Sequence, residues 1–130
     1  MKLVPAATLK KGSYVIINDA PCVVKDISIS KTGKHGHAKA RIEAIGILDN
    51  QKRIIVKPGN ENIPVPNIEK KRGQVISVNI QDKKASVMDL ESYETLEMEI
   101  DDDAKEDIGE GKQVEYWVVS NKKMIKRVIG

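Results

Sequence analysis

The feature that most constrains this fold is a repeat of apolar residues at every second position. Residues 38–44 place alanine or isoleucine at alternate positions between charged ones, and residues 95–100 repeat the pattern with Leu96, Met98 and Ile100. Successive side chains of a β-strand point to opposite faces, so this spacing is typical of half-buried strands. We therefore predict an all-β protein.

Similar short runs fill most of the chain and are separated by turn residues such as Asn18-Asp19. The segment 63–66 carries two prolines, which lack the N–H that an interior strand must donate, so it is excluded from the middle of a sheet. The remaining runs predict strands over 14–17, 22–29, 38–44, 54–56, 75–80, 85–90, 95–100, 114–120 and 123–129.

One segment has a different character. Residues 101–103 are all aspartate and Gly109 follows six residues later, which suits the two ends of one short helix. Three strands, a short helix and two strands are the element order of an OB-fold. Five or so short strands with one long hairpin loop, the pattern of the first half, fit a small SH3-like barrel.

Charge also divides the chain near residue 70. Residues 1–70 carry 12 basic and 6 acidic groups, whereas residues 71–130 carry 10 and 13. We predict an SH3-like barrel over 1–70 followed by an OB-fold with one short helix over 71–130. A basic half joined to an acidic half also suggests that the first domain meets a nucleic acid.

The composition excludes several classes of protein. The single cysteine, Cys22, allows no internal disulfide framework or cysteine-rich zinc site, and its apolar neighbours predict a buried thiol. We find no apolar stretch long enough for a signal peptide or a membrane span, so the sequence predicts a cytoplasmic protein without membrane contact.

The segment 30–39, S-K-T-G-K-H-G-H-A-K, is the strongest candidate for function. It holds three lysines, both histidines and two glycines, with no acidic residue. Such a segment cannot pack into a core, so we predict an exposed loop joining two strands. Gly33 and Gly36 are free to adopt positive φ, which places Lys34 between them near the tip.

Strand alternation extends this positive charge, because Lys39 and Arg41 fall on one face of the strand after the loop. Together with Lys31, Lys34, His35 and His37 they predict a cationic ridge suited to phosphates.

Other interpretations of the loop fail on spacing. A phosphate-binding P-loop needs glycine at position 28 and serine or threonine at 35, where the chain has Ser28 and His35. A zinc site would have only two histidines nearby. Nucleophilic catalysis lacks a carboxylate close in sequence, which leaves open that the fold brings one to His35 or His37.

The decapeptide closely resembles the modification loop of the translation factor 5A family of archaea and eukaryotes. Further similarity lies at L-K-K-G-S-Y-V-I (9–16), P-C (21–22), V-P-N-I (65–68), M-D-L-E-S-Y-E-T (88–95) and V-E-Y-W (114–117). The resemblance covers essentially the whole chain. In its compact length, the chain is more similar to archaeal initiation factor 5A than to the eukaryotic members of the family.

The resemblance implies that Lys34 is the modified residue. In the family, an NAD-dependent deoxyhypusine synthase transfers the aminobutyl group of spermidine to this lysine, giving deoxyhypusine, and hydroxylation to hypusine can follow. No bound cofactor and no metal are implied. The flanking residues implied to contact RNA are Lys31, Thr32, Gly33, His35, Gly36, His37, Lys39 and Arg41.

The resemblance further implies a ribosome-binding translation factor that is not an enzyme. It would contact rRNA and place the modified Lys34 near the acceptor end of peptidyl-tRNA, promoting peptide bonds that form slowly, as in proline runs, and acting also in initiation and termination. Bacterial elongation factor P is the functional relative. Two alternatives remain: a general RNA-binding or RNA chaperone module without a modification, and a hydrolytic or transfer enzyme.

Overall fold

The computed structural model describes residues 2–31 and 38–130. In this part of the chain, regular structure consists of eleven β-strands and one short 3₁₀ turn at Ala6–Thr8. The prediction of an all-β protein is confirmed. The chain divides into two compact units, 1–67 and 68–130. The boundary that we predict at residue 70 lies just inside the first strand of the second unit.

The first unit contains a four-stranded antiparallel sheet and a separate two-stranded ribbon. The sheet has the order β2-β3-β4-β5 and the ribbon pairs β1 with β6, as in the SH3-like barrel that we predict. The strands are β1 Lys2–Pro5, β2 Tyr14–Ile17, β3 Ala20–Lys31, β4 Ala38–Gly46, β5 Lys52–Pro58 and β6 Asn62–Val65.

The core of this unit follows the alternation in the sequence. Ala40, Ile42 and Ala44 on β4 are fully buried, and they pack with Val15 and Cys22 from the neighbouring strands. The burial predicted for the Cys22 thiol is thus confirmed. The proline-containing strand β6 pairs only with β1, outside the four-stranded sheet.

The second unit is a closed five-stranded barrel with the neighbour order β10-β11-β9-β8-β7. Its strands are β7 Ile68–Asn79, β8 Lys84–Asp89, β9 Thr95–Ile100, β10 Gln113–Val119 and β11 Lys122–Val128. The pair β9 and β11 is parallel and the other pairs are antiparallel. This is the topology of the OB-fold that we predict.

The short helix predicted over 101–109 is not formed. The segment makes successive turns, in which Ala104 N–H bonds to the Asp101 carbonyl and both Asp107 and Ile108 N–H bond to that of Ala104. The bond from Ile108 spans four residues as in an α-helix, but those from Ala104 and Asp107 span three, and so short a segment gains little from helix propagation. Asp101 faces inward. Its buried carboxylate accepts the Asp103 N–H at 3.3 Å and lies 3.3 Å from Lys126 Nζ, so the chain is held against β11.

A buried carboxylate anchors the turn between β8 and β9. Asp89 is 4% exposed, and its Oδ1 accepts the N–H groups of Glu91 and Ser92 at 2.8 Å each. Its Oδ2 accepts the Tyr116 hydroxyl. That hydroxyl and the two amides lower the pKa of Asp89 to about 2, while burial raises the pKa of Tyr116. Tyr116 belongs to the hydrophobic core of the second unit.

Gly73 marks a close approach of β7 to β8. A Cβ at this position would collide with Val87 Cγ1 and lie 3.0 Å from the Met88 carbonyl oxygen. We expect Gly73→Ala to lower the free energy of unfolding by about 1–2 kcal/mol through overpacking. Urea denaturation followed by the fluorescence of Trp117, the single tryptophan, measures this in the second unit.

Gly109→Ala is the matched control, because the nearest atom to a Cβ there is Lys112 Cε at 3.9 Å. It should leave the midpoint unchanged or raise it slightly. Equal midpoints for the two variants would show that the β7–β8 contact is not tight.

Candidate nucleic-acid interface

The predicted modification loop connects β3 to β4, and the last cross-strand pair before it is Lys31 with Ala38. The predicted site residues Thr32, Gly33, Lys34, His35, Gly36 and His37 lie outside the described residues. The structure therefore places the stem of this hairpin together with Lys31, Lys39 and Arg41.

The stem is a long antiparallel ladder that a third segment supports at its end. Strands β3 and β4 pair from Cys22 and Gly46 as far as Lys31 and Ala38. Beside the last pair, the Gly59 N–H donates to the Ala38 carbonyl at 2.7 Å. A Cβ on Gly59 would lie 3.3 Å from that oxygen. Glycine thus permits a close contact that fixes where the chain enters β4 after the loop.

The two faces of the stem have different character. Lys39 and Arg41 are exposed, and Ala40 and Ile42, which alternate with them on β4, are buried. This confirms the alternation that we predict for this strand. Lys31 pairs with Ala38 and so shares the opposite face. The register therefore places Lys31 on the other face from Lys39 and Arg41, so these three cations do not form the single ridge that we predict.

The charge of Arg41 is partly balanced by an acidic neighbour. Its Nη1 donates to Glu43 Oε1 at 2.8 Å, and Lys52 Nζ lies 3.9 Å from the other oxygen of that carboxylate. The Arg41 side chain is 49% exposed, and exposed ion pairs are worth less than about 1 kcal/mol. A phosphate can therefore displace Glu43 from Arg41 at small cost.

The described part of the chain offers few groups for metal binding or catalysis near the stem. Within residues 2–31 and 38–130, no three metal-ligating side chains come together. The alternative of a carboxylate beside His35 or His37 concerns residues outside that part. The carboxylates on the outer face of the stem, Asp26 and Glu43, oppose each other four pairs further from the loop than Ser30 and Lys39. Among the described residues, no helix is long and apolar enough to cross a membrane.

Comparison with known proteins identifies the family. Residues 2–60 match the family model for the N-terminal domain of translation initiation factor 5A-like proteins. Translation initiation factor 5A from Archaeoglobus fulgidus is 49% identical over 120 residues, 92% of each chain. The chain belongs to the translation initiation factor 5A family. The factor from Methanosphaera stadtmanae is 46% identical over 129 residues, 99% of this chain and 96% of its own.

Solved structures of the initiation factor 5A family agree with this fold. The Methanococcus jannaschii protein superimposes with a TM-score of 0.88 at 41% identity, covering 98% of this chain and 94% of its own. The family protein from Naegleria fowleri gives 0.78 at 33% identity, covering 98% and 96%. As a member of the initiation factor 5A family, the chain is a translation factor of protein biosynthesis.

Sequence reasoning missed the neighbours of Lys39 and Arg41 on the adjacent strands. Val56 and Pro58 on β5 lie directly opposite these two cations. No sequence signal could have found them, because the pairing depends on the length of the β4–β5 turn. That turn is held by Arg53, whose Nη2 donates to Asp49 Oδ2 at 2.7 Å.

Proposed function

We propose that this translation factor binds the ribosome and promotes peptide-bond formation through a hypusine-type modification of Lys34. The observation that carries the proposal is the long pairing of β3 with β4, the two strands between which Lys34 falls in the sequence. The stem has cations exposed on its outer face and an apolar core behind it. A lysine held in this way can be extended into a narrow path while the stem contacts rRNA.

The chemistry needs no acid or base from the protein. The ribosome already supplies the reacting amine and ester, so a factor acts by holding a badly placed peptidyl-tRNA in reactive geometry. Holding requires a stiff support and a long cation. The β3–β4 ladder is the support, and an aminobutylated Lys34 carries two separated amines that contact phosphates or riboses near the tRNA acceptor end. The factor is thus not an enzyme and requires no bound cofactor.

The partners follow from this mechanism. They are rRNA, the acceptor end of peptidyl-tRNA and a deoxyhypusine synthase, which supplies the aminobutyl group from spermidine. Peptide bonds within proline runs are the expected targets, with further action in initiation and termination, and the expected location is the cytoplasm. The exposed cations Lys39 and Arg41 also favour a second candidate, a general RNA-binding module that needs no modification.

Mass spectrometry of the protein purified from its native source tests the proposal. We expect the intact mass to exceed the sequence mass by an aminobutyl group, with or without one oxygen, and peptide mapping to place the addition on Lys34. Protein from a bacterial host without deoxyhypusine synthase is the control and should show the sequence mass. Native protein with an unmodified Lys34 would contradict the modification and favour the general RNA-binding module.

A further inference from the structure

On the outer face of β3, β4 and β5, two successive rows of side chains have the same chemical character. Ser30, Lys39 and Pro58 lie opposite one another, and the next row is Ser28, Arg41 and Val56. All six are exposed. Each row thus offers a hydroxyl group, a cation and an aliphatic side chain in the same order. Directly opposite residues of an antiparallel pair have Cβ atoms about 4.5–5.5 Å apart, so the three groups of a row are close enough to contact one ligand.

The row after these has the opposite charge. Asp26, Glu43 and Ile54 lie opposite one another, which puts two carboxylates where the other rows have a hydroxyl and a cation. Ile54 and Val56 are otherwise comparable, since both are aliphatic, lie on the same face of β5 and are exposed by 46% and 56%. A polyanion is therefore attracted to the first two rows and repelled at the third.

The chemistry of the two rows matches that of a single-stranded RNA. Its phosphates pair with cations, its 2′-hydroxyls bond to side-chain hydroxyls, and its riboses and base faces pack on apolar groups. A second copy of this face fits less well, because residues 1–67 carry 11 basic and 5 acidic groups and two such units would repel each other. The charge on this face selects an anionic ligand.

We propose that these two rows form a binding surface for single-stranded RNA, in which Val56 supplies an apolar contact beside the cations Lys39 and Arg41. The inference rests on the proposed function, because it extends the RNA contact from the modification loop down the outer face of the sheet as far as Arg41. It assigns β5 to the interface, which no motif in the loop indicates. Affinity at this surface has two components, a phosphate contact that depends on salt and an apolar contact that does not.

Fluorescence anisotropy with a labelled oligouridylate, measured on the full chain over a series of salt concentrations, tests this proposal. We expect Val56→Ser to weaken binding about fivefold at every salt concentration and to leave the salt slope unchanged, since no phosphate contact is lost. Ile54→Ser, the matched control in the acidic row, should change affinity by less than about twofold. Lys39→Gln should weaken binding and reduce the slope by about 0.7.

Several outcomes would overturn the inference. If Val56→Ser and Ile54→Ser lost equal RNA affinity, the effect would belong to the whole apolar face rather than to the two rows. If Val56→Ser bound RNA as tightly as wild type, β5 would be assigned to contact with a protein partner instead. If the wild-type chain self-associated and Val56→Ser abolished this association, the surface would be assigned to a second copy of the chain. Wild-type protein that binds no RNA would remove RNA binding altogether, while the mass measurement on Lys34 judges the modification separately.

Discussion

Under the proposed function, Lys34→Arg is expected to reduce the stimulation of proline-run synthesis by about ten- to a hundredfold, to the level without factor. Arginine keeps the positive charge of the unmodified residue but has no primary amine that can accept an aminobutyl group. Under the proposed function, the lost reach removes the group that positions the peptidyl-tRNA. A reconstituted translation system, given a message with consecutive proline codons and protein coexpressed with deoxyhypusine synthase, measures the rate directly.

Two comparisons make this result specific. Lys25→Arg changes an exposed lysine on β3 outside the predicted site and should retain full stimulation. A message without proline runs should be translated at nearly the same rate with Lys34→Arg as with wild type. Full activity of Lys34→Arg on the proline message would contradict positioning by a modified lysine, whatever its affinity for RNA.

Asp89→Ala is expected to lower the free energy of unfolding of the second unit by about 3–4 kcal/mol. The substitution removes the acceptor for the Tyr116 hydroxyl and for the N–H groups of Glu91 and Ser92. The Tyr116 hydroxyl is buried and the two amides are partly buried, and all three donors lose their partner together. Tyr116→Phe removes one bond and leaves the carboxylate its two amides, so its expected cost is about 1–2 kcal/mol.

The contribution of Asp89 depends on pH in a defined direction. Its pKa in the folded protein is about 2, against 3.8 for the ordinary carboxyl group. The lowered pKa therefore stabilises the fold above about pH 4 and this stabilisation, about 2 kcal/mol, is lost as the pH falls through about 2. Asp89→Asn should flatten the dependence of stability on pH over this interval.

Urea denaturation between pH 2 and 7, followed by Trp117 fluorescence, measures both effects. Glu91→Gln is the control, since Glu91 is exposed and contributes its backbone N–H rather than its carboxylate to the turn. It should keep the wild-type midpoint at neutral pH. If Asp89→Asn lost stability at low pH to the same extent as wild type, other carboxyl groups would account for the acid sensitivity of the barrel.

Strands with one buried face could be predicted closely from the sequence. The alternation at Thr95–Ile100 coincides with β9 as observed, and Tyr14–Ile17 coincides with β2. The start of β7 was missed, because Glu69-Lys70-Lys71-Arg72 are four consecutive charged residues and show no alternation. Their strand structure comes from pairing with β10, and such long-range pairing leaves no mark on the local sequence.

The helix prediction failed for a related reason. Three aspartates before Gly109 satisfy the local rules for a helix, and Asp101 accepts the Asp103 N–H as an N-cap residue would, but those rules take no account of contacts with distant strands. Asp101 is buried beside Lys126, a residue on β11, and Ala104 joins the barrel core. The candidate site shows the same limit: the loop motif could be identified from sequence, whereas Val56 required the register of β4 with β5.

The closed barrel also sets an order of folding during synthesis. Its first strand bonds to β10, with Ile68 opposite Val119, and the parallel pair that joins β9 to β11 needs Ile125. No early subset of its strands can close the ring, so the second unit completes only after nearly the whole chain has left the ribosomal exit tunnel. The first unit has all its strand partners once Val65 has emerged. The β3–β4 ladder can therefore assemble while the C-terminal barrel is still being translated.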